Sequence, residues 1–152
     1  MFKPYPLIST TEALTPTVDF SGTWQNELQS EMHLNVDQQG HVTGKYKTGI
    51  GTPNPSEEFD LVGFASADLL SFTVNFGTHG SLTCWSGQHI LEDGVETIKT
   101  KWLLTQNLNE VNSIQFSGNV VSGQDNFYRS LPTLTQHPEI SDLYWLQYPC
   151  TD

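Results

Sequence analysis

Apolar and polar residues alternate along this chain in short runs, the first of them GTWQNELQS at residues 22–30. One face of that run carries Trp24, Asn26, Leu28 and Ser30; the other carries Thr23, Gln25, Glu27 and Gln29. A period of two is that of a half-buried β-strand, and the face with tryptophan and leucine is the one expected inside. The same rule predicts strands near 20–28, 30–37, 41–50, 59–65, 69–76, 80–90, 95–105 and 112–128. Between them lie Asp37–Gly40, Thr52–Ser56, Gly77–Gly80, Glu92–Gly94 and Asn107–Asn109, all rich in turn-forming residues. Eight short strands joined this way predict an all-β domain, either an antiparallel up-and-down barrel or a sandwich. Residues 1–18, with three prolines and no periodicity, read as an irregular N-terminal arm. Residues 19–128 read as the β-domain and 129–152 as a C-terminal tail.

The inward face is unusual, because it mixes aromatic with small polar side chains. The third strand offers Tyr46, Thr48 and Ile50, the fifth Phe72, Val74 and Phe76, and the sixth Ser81, Thr83 and Trp85. Trp102 and Leu104 follow on the seventh and Asp125 on the eighth. Burying an unpaired hydroxyl or amide costs ~1–3 kcal/mol, and a carboxylate more, so a solid core would not select this set. A lined cavity would, and an eight-stranded barrel is just wide enough to hold one small molecule. Asn26, Ser30 and Tyr46 carry donors, Thr48 and Thr83 donate or accept, and ionised Asp125 accepts. Converging donors suit a polarised carbonyl oxygen, and acceptors suit N–H groups on the same ligand. Trp85, Trp102 and Phe76 supply flat apolar walls. Together they describe a pocket for a cyclic urea on an apolar scaffold. Trp24 reads as a core plug near a barrel end, and Cys84 as an outward thiol. His79 reads as an exposed loop histidine; Glu31, Glu57, Glu58, Glu92 and Asp93 read as solvated charges.

Composition narrows the field. A chain of 152 residues is one domain by length, and 17 acids against six Lys/Arg give a formal charge of −11. No basic cluster exists to track phosphates or an anionic membrane, so neither nucleic acid nor membrane is an expected partner. The two cysteines, Cys84 and Cys150, form no C-x-x-C pair, and the five histidines are scattered, so no metal or cofactor is expected. The N-terminus lacks the apolar core of a signal peptide. No nucleophile motif such as G-x-S-x-G is present, which argues against an enzyme. Two other readings stay open at this point. One is a lipocalin-like carrier of an apolar ligand, in which the inward polar groups would be wasted. The other is a small barrel isomerase or cyclase using Asp125 or Tyr46 as acid–base group.

GTWQNELQS, TGKYKTGIG, SFTVNF, LTCWSGQ, KTKWLLT and GQDNF, in this order across residues 19–128, resemble the avidin/streptavidin family of biotin-binding barrels. The resemblance implies an eight-stranded antiparallel up-and-down β-barrel that binds biotin and catalyses nothing. By it, Asn26, Ser30 and Tyr46 match the residues that hold the ureido oxygen, and Asp125 and Thr48 the acceptors for the ureido N–H groups. It also implies a hydrogen bond between Asp125 and the asparagine. Thr83 matches the partner of the ring sulfur, and Ser81, Gly51 and Thr52 the region receiving the carboxylate. Trp85, Trp102 and Phe76 stand in the aromatic box, with Leu28, Ile50 and Leu104 as apolar neighbours. Export, to a secreted or periplasmic destination, is implied in the same way.

The departures from the family pattern carry expectations of their own. Phe76 stands where tryptophan is common, and Thr52 where asparagine is often seen. Tetrameric members place a lid tryptophan ahead of the eighth-strand aspartate, but Ile114-Gln-Phe-Ser-Gly118 has none. That resembles the dimeric branch, so a homodimer is expected. Dimeric relatives often join the third–fourth and fifth–sixth strand loops by a disulfide; TPNPSEE and GTHG hold no cysteine, so other contacts must order these loops. The apolar stretch Ile140–Tyr148 is expected to dock near the mouth of a barrel, its own or a neighbour's.

Overall fold

The computed structural model describes residues 15–51, 53–107 and 120–129. Eight strands run in chain order: β1 (Gly22–Asn26), β2 (Glu31–Val36), β3 (His41–Lys47), β4 (Phe59–Ser66), β5 (Leu69–Asn75), β6 (Ser81–Glu92), β7 (Val95–Gln106) and β8 (Val120–Tyr128). Each pairs antiparallel with the next, and β1 pairs with β8, closing a barrel with no free edge. The sandwich alternative is thereby excluded. Closure rests on a short seam, Gln25 opposite Tyr128 and Asn26 opposite Phe127.

Turn chemistry fixes the register. Between β6 and β7, Asp93 and Gly94 have φ of 51° and 77°, the two-residue turn whose twist matches the strands it joins. Between β2 and β3, the Asp37 carboxylate accepts the N–H groups of Gln39 (2.9 Å) and His41 (2.8 Å). The third strand is shorter than alternation predicts. It ends at Lys47 because the Thr48 hydroxyl turns the chain, donating to the Ile50 carbonyl (2.6 Å) and accepting the Ile50 N–H (3.3 Å). The end of the expected irregular arm pairs with the barrel. Pro16 bridges Ala67 in parallel, and the Thr17 N–H donates to the Ala67 carbonyl at 3.0 Å. The rest of the arm (1–14), the start of the expected eighth strand (112–119) and the tail (130–152) lie outside the described residues, as do Thr52 and Cys150.

The two halves of the barrel interior differ. One end is solid: Phe20, Trp24, Met32, Leu34, Val42, Leu61, Leu70, Ile98 and Phe127 are all buried. Trp24 plugs this end as expected, its indole N–H donating to the Phe20 carbonyl at 2.9 Å. The Arg129 guanidinium lies 4.2 Å above the Trp24 ring centroid, donates to the carbonyls of Ser21 (2.8 Å) and Asp19, and pairs with Glu96 at 2.8 Å. The end where β1, β3, β5 and β7 finish is the open one, and there the polar inward residues collect.

Candidate functional site

At the open end a narrow hollow is lined by Tyr46, Thr48, Phe76, Thr83, Trp85, Trp102, Leu104 and Asp125. The space within it that a water could occupy is about 20 Å³. All eight were expected from the sequence to face the cavity. Five strands or their ends supply them, and no two neighbours along the chain contribute together, because the strand period of two sends every second side chain outward.

The aromatic rings brace one another. Trp85 stacks on Phe72 at 5.1 Å and 10°, and Tyr46 leans on Trp85 at 5.2 Å. The Phe76 ring meets Tyr46 edge-on at 6.1 Å and packs on Phe59 at 4.8 Å. Trp102 lies across from Trp85 in register and against the backbone of Gly123, where a Cβ would come within 2.3 Å of the indole. Gly123 therefore sets how far Trp102 can retreat from the hollow. Phe59, Phe72 and Gly123 were not among the expected site residues. The signal for Gly123 was present, since a glycine at inward parity two residues before Asp125 marks a close approach.

The polar groups are held by partners that fix their orientation. The Trp85 indole N–H donates to Asp125 Oδ2 at 2.8 Å, and the Thr100 hydroxyl donates to the Asp125 carbonyl at 2.9 Å. Burial pushes the Tyr46 phenol well above its usual pKa and the Asp125 carboxylate pushes it further, against a smaller opposing effect of the Ser30 hydroxyl hydrogen bond. Tyr46 is thus a neutral O–H donor across the physiological range. Among the described residues, the buried side-chain polar atom left without a hydrogen-bond partner is the Thr83 hydroxyl oxygen.

Asn26, Leu28 and Ser30 are buried at the same end but do not line the hollow. The Asn26 side-chain oxygen accepts the N–H groups of Leu28 (3.0 Å) and Ser30 (2.8 Å), building the β1–β2 turn. The Ser30 hydroxyl accepts the Gly49 N–H at 3.0 Å. Their inward position thus has a structural reason as well as any ligand role. Ile50 is half-buried and Gly51 exposed on the loop after β3, while Ser81 opens β6 on a separate shallow depression at the rim.

Two residues read as plain surface polar groups turn out to be engaged. His79 Nε2 sits 3.1 and 3.2 Å from the two carboxylate oxygens of Glu57, and its side chain is only 22% exposed. Sequence spacing gives no sign of a contact between residues 22 positions apart on different loops. Cys84 is exposed, as its outward parity predicted, and is a free thiol among the described residues. Among the described residues no three His, Cys, Asp or Glu side chains group as a metal ion would require.

The avidin family model matches residues 15–130, a span that takes in the whole barrel. Avidin of Gallus gallus is 33% identical over 100 residues, 60% of this chain and 66% of its own, so the match spans just under two thirds of that relative's length. Among solved structures, xenavidin aligns with a TM-score of 0.66 and 29% identity, covering 74% of this chain and 98% of its own. A rhizavidin–biotin complex aligns with a TM-score of 0.62 and 26% identity, covering 75% and 95%.

Proposed function

The chain belongs to the avidin family, and from that premise we propose that its barrel sequesters biotin as a non-enzymatic binding protein. One observation carries the reading: the Thr83 hydroxyl is buried without a partner in a hollow walled by Phe76, Trp85 and Trp102. An orphaned buried hydroxyl costs ~1–3 kcal/mol, a cost that a ligand atom able to accept or donate would remove.

The remaining groups take complementary parts in this proposal. Tyr46 stays protonated and donates to the ureido oxygen. Asn26 joins it through its side-chain NH₂, since two backbone N–H groups occupy its side-chain oxygen. The Ser30 hydroxyl completes the set from beside Tyr46. Asp125 and Thr48 accept the two ureido N–H groups, Thr83 meets the ring sulfur, and Trp85, Trp102, Phe76 and Leu104 enclose the apolar rings, with Leu28 and Ile50 beside them. The carboxylate is left at the rim, near Ser81, Gly51 and Thr52. Export and a homodimer belong to the same proposal, both by family likeness.

Thermal unfolding with and without biotin tests it. Nanomolar affinity at millimolar biotin stabilises the folded state by about 8 kcal/mol, which for this chain length raises Tm by roughly 15–30 °C. An unchanged Tm overturns the reading, and a rise with a long-chain apolar ligand instead would favour the carrier alternative.

A further inference from the structure

We propose that His79 and Glu57 form a latch at the rim of the barrel mouth and that this latch sets how long a ligand stays inside. The inference rests on the biotin reading for its ligand, but the latch itself is read from geometry.

Each half of the contact sits on a segment that is ordered by itself. In the loop between β3 and β4, the Asn54 side-chain oxygen accepts the N–H (3.0 Å) and the hydroxyl (2.9 Å) of Ser56. The Glu57 N–H then donates to the Asn54 carbonyl at 2.8 Å, closing a turn. Between β5 and β6, a single 3-10 turn spans Gly77–His79. Its start is fixed by the Asn75 side chain accepting the Gly77 N–H at 2.9 Å, and its end by the His79 N–H donating to the Phe76 carbonyl at 3.1 Å. The β4–β5 ladder ends with Asp60 opposite Asn75, and neither segment beyond that rung takes part in it. His79 Nε2, within reach of both Glu57 oxygens, joins them instead.

The contact also reaches the hollow. The His79 ring stands edge-on to Phe59 at 5.7 Å, Phe59 packs on Phe76 at 4.8 Å, and Phe76 lines the cavity beside Tyr46. Lifting the 53–58 loop therefore frees one side of the ring system that walls the ligand. An ion pair on an open surface contributes little, but here the imidazole is 22% exposed and faces both carboxylate oxygens. Glu58, next along the loop, pairs with Lys47 of β3 at 3.4 Å, so the loop is held on both sides. Opening the mouth breaks the His79–Glu57 contact while leaving every strand ladder intact, and contacts of that kind govern release more than uptake.

Biotin release is to be followed by competition with excess unlabelled ligand on the full chain and on H79A, E57Q, the double variant H79A/E57Q, and H79Q. We expect H79A and E57Q each to speed release about two- to fivefold, the range of a half-exposed charged hydrogen bond. The double variant should be no faster than the faster single one, because both remove the same contact. H79Q keeps an N–H donor at similar reach and should recover most of the loss. Uptake rate should be unchanged in all. Release that matches wild type in folded variants, or single effects that simply add, overturns the latch. Hydrogen exchange without ligand is the second arm: H79A should quicken exchange at the Glu57 amide and leave the β4 and β5 amides as they were. If wild type takes up no biotin, the ligand reading falls; the exchange arm still upholds or overturns the latch.

Discussion

The indole of Trp85 does two jobs that sequence pattern cannot separate. Its ring is a wall of the hollow, stacked on Phe72, and its N–H holds one oxygen of Asp125 at 2.8 Å. A Trp85→Phe substitution keeps a wall but removes the donor, and a hydrogen bond to a charged group contributes ~1.5–3 kcal/mol. One oxygen of Asp125 then lacks its indole donor, so calorimetry should find biotin affinity weaker by roughly 10- to 100-fold. Unchanged affinity would mean that Asp125 takes no part in binding. At this scale the sequence was a good guide to which residues turn inward and a poor guide to what they touch. Parity alone brought Tyr46, Thr48, Phe76, Thr83, Trp85, Trp102, Leu104 and Asp125 to one hollow. It could not distinguish Asn26, which also builds its own turn, from residues that border open space, because both uses require the same inward direction. Nor could it find the Trp85–Asp125 bond, whose partners are 40 positions apart.

Elements were more legible than contacts, since each strand is announced by local alternation and each hairpin by local turn residues. The pattern errs where a side chain overrides it: Thr48 ends β3 early. Arg129 shows how strand ends are tied at the solid end of the barrel. Glu96 on β7 receives Arg129 at 2.8 Å and faces His89 on β6 at 3.1 Å, joining three neighbouring segments. Burial alone would raise the Glu96 pKa, but the hydrogen bonds and charges of Arg129 and His89 outweigh it and hold it below the ordinary 4.5. A carboxylate depressed in the folded state stabilises the fold above its unfolded pKa, and that contribution disappears as pH falls through the folded value. Glu96→Gln should therefore lower Tm at neutral pH and leave a shallower loss of stability below about pH 4.5 than wild type shows. The side chain is 38% exposed, so solvent screening limits the effect to about 1 kcal/mol, or a few degrees. Acid titrations of Tm that superimpose for the two proteins would remove Glu96 from this role.

For the whole molecule, charge limits which surfaces two copies can bring together. With 17 acids and six Lys/Arg, most approaches between copies are repulsive. The outer face of β4–β7 is the exception. Register aligns Val62, Thr73, Cys84 and Leu103 in one row across these strands, with no charge among them. Phe64 and Leu82 stand in the flanking rows on either side, and both are at least half exposed, as is Val62. Asp60 and Lys101 lie outward in the flanking rows at opposite edges of the patch. An apolar, uncharged strip on a flat sheet is a surface that a second copy can cover at little electrostatic cost. If the proposed homodimer uses this face, Leu103→Glu places a carboxylate in the row and should convert the dimer to a monomer by light scattering. Binding should persist, because Leu103 points away from the hollow that Trp102 and Leu104 line. Added salt should tighten the wild-type dimer, because screening weakens repulsion between two acidic bodies more than it weakens an uncharged contact. Cys84, exposed at the middle of the row, is a built-in reporter: its alkylation should slow as protein concentration rises and stay fast in Leu103→Glu. A wild-type chain that scatters as a monomer at tens of micromolar, or a variant that still dimerises, would show that the charge-free face has another use.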